Sequence, residues 1–145
     1  MTTHYVAGFL FDEEAANVAL IRKSKPRWQA GLLNGIGGHV EANESPERAM
    51  AREFYEETGV LIPISDWKKV AVLNVGYGSA VVHAFAAFSP KVFQVTTAEA
   101  KGERTEIHAV ADVHNRVDLV QHTRTLVALA TDAKIAKPVE LQAAA

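Results

Sequence analysis

Cysteine is absent from this chain of 145 residues, which excludes disulfides, thiolate metal sites and a cysteine nucleophile. A basic excess is missing too, with 15 Lys and Arg against 17 Asp and Glu and a net charge of −2. Without a global positive field no nucleic-acid polymer is expected as a partner, although a local basic cluster can still meet a small phosphorylated ligand. The apolar start, Tyr5–Phe11, runs into Asp12-Glu13-Glu14 with no basic flank before it. It is too short to span a membrane and lacks a signal-peptide pattern, so a cytoplasmic protein without a membrane partner is expected.

Apolar residues make up 48% of the chain and charged residues 22%, the balance of a globular domain. A chain of this length buries roughly 68–70% of its unfolded surface, enough to fold without staples. We read one domain over residues 1–140, with 141–145 as a loose tail. Val and aromatic content predicts strands at 5–11, 17–22, 70–75, 80–88 and 106–111. A helix is predicted from the Ser45 cap and Pro46 up to Gly59. Apolar spacing predicts a second over about 117–130. Strands with helices between them indicate a compact α/β or α+β sandwich.

The first helix breaks its own rules. Glu53, Glu56 and Glu57 fall within an arc of roughly 100°. Glu53 and Glu57 are a like-charged i,i+4 pair, and Glu56 and Glu57 sit in the last turn, where the macrodipole disfavours anions. Carboxylates about 5–6 Å apart repel by roughly 3 kcal/mol per pair at an effective dielectric near 20. Local rules broken together mark a site. Arg52, four residues before Glu56, relieves part of the repulsion, and a solvated acidic face is the bland alternative. Gly37 and Gly38, just ahead, let backbone approach a ligand closely. A hard divalent cation takes oxygen ligands of this kind, so the cluster suggests Mg²⁺ or Mn²⁺ acting on phosphates.

Gly38, Glu44, Arg52, Glu53, Phe54, Glu56, Glu57, Gly59 and Val60 resemble the Nudix box, G-x5-E-x7-R-E-U-x-E-E-x-G-U, at every spacing. Phe54 is aromatic where an aliphatic residue is usual. The run Leu32–Gly38 is similar to the strand entering the box in MutT-like nucleoside triphosphate pyrophosphohydrolases. The resemblance implies an α/β/α sandwich around a mixed sheet and a hydrolase that cleaves a diphosphate bond. It implies metal ligation by Glu53, Glu56, Glu57 and the Gly37 carbonyl, with Gly38 against the substrate. Arg52 would orient a glutamate, and Glu44 would support the loop. Family members often add an acid from a later loop; Glu103 is the candidate, with Glu99 and Glu106 kept open.

The expected substrate is a nucleotide, cleaved to a monophosphate and pyrophosphate. Arg22 and Lys23, followed by Lys25 and Arg27, are the basic cluster nearest in sequence for the phosphates. By the same resemblance Asn34 would contact a base, and its amide offers both donor and acceptor. The loop before the last helix has no pair of aspartates, which departs from members specific for oxidised guanine. Trp28 and Tyr77 are candidates to stack on a base, and His39 and His122 are the histidines to inspect. ADP-ribose and dinucleoside polyphosphates are the alternative substrates. A catalytically silent nucleotide sensor is the other functional class, and a structural protein with an acidic helix a third. A monomer or homodimer is expected.

Overall fold

Strand β1 (Thr3–Phe11) explains why the first apolar run is unbroken rather than alternating. Val6 and Leu10 enter one core while Phe9 and Phe11 enter another. A strand covered on both faces must be apolar at both parities. The computed structural model describes residues 1–96 and 102–143. The further strands are β2 (Asn17–Arg22), β3 (Leu33–Asn34), β4 (Ile36–His39), β5 (Lys68–Val75), β6 (Ala80–Phe88), β7 (Arg104–Ala109) and β8 (Val139–Ala143). The helices are α1 (Pro46–Thr58), α2 (Val110–Val113) and α3 (Thr123–Thr131).

The eight strands among the described residues form one sheet, ordered β3-β2-β1-β6-β5-β8, with β4 added to β1 and β7 to β2. The β1–β6 and β5–β8 pairs are parallel and the others antiparallel. Helix α1 covers one face through Met50 and Phe54, packed with Ile36, Trp67 and Phe85. Helix α3 covers the other through Leu126, Val127 and Ala130, packed with Phe9, Leu20 and Leu33. The result is the expected mixed sheet between helical layers. Among the described residues no helix is long and apolar enough to cross a membrane.

Three expectations need correction. The second helix begins at Thr123, not near 117. Val117 is exposed, and residues 118–120 bond to β3 instead, through Leu33 N to Asp118 O and Val120 N to Leu33 O, both 2.8 Å. Strand pairing here outcompetes the helical spacing of the same apolar residues. The strand expected at 106–111 ends at Ala109, because Val110 and Val113 bury themselves one helical turn apart in α2. Leu141–Ala143, expected to be loose, pair with Leu73–Val75 and cover an edge that β5 would otherwise leave open. Residues 144–145 lie outside the described residues.

A histidine pair joins β1 to β6 on the α1 side. His4 Nδ1 and His83 Nε2 are 3.0 Å apart and the rings stack. His83 is 9% exposed, and its Nδ1 is buried without a partner. Burial, then the positive charge of Lys69 on β5, then His4, push His83 down to about 4, against a smaller opposing effect of Glu47 on α1. The unfolded chain therefore binds this proton more readily than the folded one. Stability from keeping His83 neutral is complete above about pH 6.5 and is lost as pH falls through about 4, a contribution of about 3 kcal/mol. Denaturant titrations from pH 7 to 4 should show this slope in the native sequence and a shallower one in His83→Leu.

Candidate active site

Local sequence fixes α1 at both ends. Ser45 Oγ accepts from Arg48 N at 3.2 Å, Pro46 opens the helix, and Gly59 closes it at φ +74 with its N–H on Tyr55 O. No basic side chain offsets the acids in the last turn.

The acids are organised around Arg52. Its Nε and Nη2 fork onto Glu44 at 2.7 and 2.9 Å, and Nη2 also donates to the His39 carbonyl at 3.0 Å. Its Nη1 reaches Glu53 at 3.0 Å, both oxygens of Glu56 at 3.3 Å, and Glu41 at 3.6 Å. The guanidinium thus ties the 39–44 loop to the helix. Hydrogen bonding to Arg52 holds the Glu44 carboxyl below the usual range, and Glu44, more than Glu53, raises Arg52. One cation cannot neutralise this many carboxylates, so negative charge remains.

Glu53 and Glu57 are buried at 9% and 6% exposure, an environment that disfavours charge unless it is compensated. A Cβ on Gly38 would lie 2.6 Å from the Glu53 carboxyl carbon and from one of its oxygens. The Glu53 carboxylate therefore rests directly on the bare Gly38 backbone. Gly37 is needed for another reason. It pairs with Ala7 across the β1–β4 ladder, and a Cβ there would lie 1.8 Å from Val6 O. Glu56 is half exposed and turned toward Arg52. Among the described residues no three His, Asp or Glu side chains already converge as a ready metal cage. The donor chemistry nonetheless fits a hard divalent cation: carboxylate groups gathered around a single arginine, with Glu53 buried against the Gly38 backbone.

Other predicted residues fall elsewhere. Glu103 is buried and accepts from Ser24 N at 2.9 Å, with Lys23 Nζ at 3.3 Å. Burial pushes its carboxyl up, but the Ser24 amide and Lys23 outweigh it and leave a net depression. These contacts tie Glu103 to the 23–25 loop and not to α1. Glu106 carries the Arg22 fork at 2.7–2.8 Å, which, with help from His108 and Arg104, brings it down to about 2. Glu99 lies outside the described residues. Arg22, expected at the phosphates, is committed to Glu106, Asp118 and the Gly31 carbonyl; strand register makes it a cross-link.

Asn34 sits on β3, its Oδ1 accepting from Gly35 N at 2.7 Å and from Thr123 Oγ1 at 3.5 Å, and its Nδ2 donating to Gln29 at 3.4 Å. Trp28, 66% exposed, lies in a single 3-10 turn, Arg27–Gln29, with Arg27 exposed beside it. Lys25 is exposed on the same loop. Tyr77 projects fully from the β5–β6 turn at φ +55. The His39 ring packs on Tyr5 at 4.5 Å. His122 adopts φ +73 ahead of α3, with its Nε2 buried and unpartnered. Sequence reasoning missed Glu41 and the His39 carbonyl as Arg52 partners, and no spacing rule signals a backbone acceptor. It also missed the Arg116 fork on Asp118.

A family model described as the NUDIX domain matches residues 1–130. The structure resembles that of a MutT NUDIX hydrolase from Burkholderia pseudomallei, with TM-score 0.73 and 19% identity over 90% of this chain and 99% of that one. It also resembles the NUDIX domain of Shewanella oneidensis NrtR complexed with ADP ribose, with TM-score 0.74 and 21% identity over 90% and 86% of the two chains. A curated relative, an octanoyltransferase of Myxococcus xanthus, is 43% identical over 51 residues. That match covers 35% of this chain and only 14% of the relative's length.

The two glycines should separate in thermal and denaturant melts. Gly37→Ala meets immovable backbone and should cost more than about 3 kcal/mol or prevent folding. Gly38→Ala meets only the end of a flexible side chain and should fold, at a cost of about 1 kcal/mol from displacing Glu53.

Proposed function

The chain belongs to the Nudix family and is a Nudix hydrolase, and we propose that it cleaves a nucleoside triphosphate to a nucleoside monophosphate and pyrophosphate, using Mg²⁺ or Mn²⁺. The observation that carries this reading is the Arg52 cluster, in which one guanidinium is shared among Glu41, Glu44, Glu53 and Glu56, and Glu53 rests on Gly38. Glu53, Glu56, Glu57 and the Gly37 carbonyl would hold the cation. When bound, it supplies charge neutralisation at phosphate oxygens and a lower pKa for water.

The chain's own groups do the rest. A box carboxylate takes the proton of the attacking water as the water oxygen bonds to one phosphorus of the α,β-diphosphate. The bond from that phosphorus to the bridging oxygen breaks, and the other phosphoryl group leaves with the electron pair, giving monophosphate and pyrophosphate. Arg52 holds Glu53 and Glu56 in place, and Glu44 holds Arg52. Lys23, tethered to Glu103 by a long 3.3 Å contact, is the basic side chain assigned to the phosphates. Asn34 offers its amide to the base, and Trp28 is exposed enough to stack on it. Pool cleaning is a role such an activity would serve. ADP-ribose is the second reading, favoured by the likeness to the ADP-ribose-bound domain.

Product analysis decides between them. With Mg²⁺, a panel of normal and oxidised nucleoside triphosphates, ADP-ribose and diadenosine polyphosphates should yield monophosphate and pyrophosphate from a triphosphate. Cleavage confined to ADP-ribose or the dinucleotides would overturn the substrate and keep the site. Glu57→Gln should lower kcat by about 10²–10⁴-fold, and intact metal-dependent hydrolysis in that variant would sink the site assignment. Millimolar Mg²⁺ should raise the melting temperature of the native protein, and less so that of Glu57→Gln.

A further inference from the structure

Arg22 adds a side-chain tie between the sheet and the segment ahead of α3, beside the backbone bonds that Leu33 makes to that segment. Its Nε and Nη2 fork onto Glu106 of β7 at 2.8 and 2.7 Å, and its Nη1 donates to Asp118 at 2.7 Å and to Gly31 O at 3.0 Å. Each carboxylate also has a partner of its own. Asp118 receives the Arg116 fork at 2.7–2.8 Å, while Glu106 receives Arg104 at 3.0 Å and pairs with His108 at 2.8 Å. Those contacts stay within the loop or within β7. Besides Arg22, the two groups meet in a long 3.5 Å contact between Arg116 and His108.

The segment so held lies beside Asn34. Leu33 N donates to Asp118 O and Val120 N to Leu33 O, so 118–120 run along β3. Arg124 fastens the other end, donating to the carbonyls of His114 and Arg116. Thr123, 1% exposed, is thereby brought to the Asn34 amide, with the unpartnered His122 Nε2 one residue earlier. The contacts of Asn34 with Thr123 and Gln29 are long, 3.5 and 3.4 Å, so neither saturates the amide.

We infer that Arg22 is a positioning residue for nucleobase recognition: together with the Leu33 backbone bonds it holds the 116–123 segment against β3, so that the buried Thr123 braces Asn34 where its amide faces the base. This rests on the reading of Asn34 as a base contact. It assigns Arg22 no contact with phosphate. A lysine cannot replace it, because one ammonium cannot fork onto Glu106 and reach Asp118 at once.

The test compares nucleoside triphosphate with methyl triphosphate, which has the same reacting groups and no base. In Arg22→Lys the KM for the nucleotide should rise about tenfold with kcat within about threefold, and both parameters for methyl triphosphate should hold. Asp118→Asn should reproduce that pattern, and the double variant should be no worse than either single one. Equal losses on both substrates would overturn the inference and return Arg22 to the phosphates; so would no change on either. Should the native protein cleave neither, the triphosphate reading has failed, and calorimetric affinities for a nucleoside monophosphate and ribose 5-phosphate decide instead. Their ratio should shrink in Arg22→Lys. An unchanged ratio, or no base-dependent affinity in the native protein, overturns the inference.

Discussion

The guanidinium of Arg52 carries the electrostatics of the site. It draws Glu44 and the His39 carbonyl from the loop and Glu53 and Glu56 from the helix onto one cation. Without it the side-chain ties between the loop and α1 would be lost, and the acids would repel one another. With it they are held close while most of their charge persists. A cluster in that condition has the donor chemistry that a divalent cation takes, and the same geometry that makes it costly to the fold would make it useful to a hydrolase.

Backbone does as much as charge. Glu53 can be buried because Gly38 presents no Cβ, and β4 can lie tight on β1 because Gly37 presents none to Val6. The glycines of one short strand therefore serve opposite ends of the problem, one admitting a carboxylate and the other a neighbouring strand. The sheet beneath supplies rigidity, since β1 is paired along its length with β6 and buried on both faces.

A second ionic centre lies away from the first. Arg22, Glu106, Asp118 and Arg116 link β2, β7 and the loop before α3. The two centres share a logic, an arginine forked onto carboxylates from separate elements, but differ in balance. Around Arg52 anions are in excess. Around Arg22 the arginines and carboxylates are closely matched, which suits a strap rather than a metal site.

Much was legible before folding. The ends of α1 follow from Ser45, Pro46 and Gly59, because caps act within a few residues of the chain. The acid cluster follows from helical spacing for the same reason, and β2 and β6 follow from their apolar runs. What lay beyond the sequence depends on distant partners. Whether residues 117–122 are helix or strap is decided by Leu33, which offers backbone bonds that helical spacing cannot anticipate. Leu141–Ala143 become a strand because β5 needs an edge. Arg22 and Lys23 look alike as cations beside a loop, yet register across the sheet gives one to Glu106 and Asp118 and the other to Glu103. Short-range rules fix where elements begin and which residues carry charge; only the folded sheet, by choosing neighbours, decides which charges are already satisfied and which remain for a ligand.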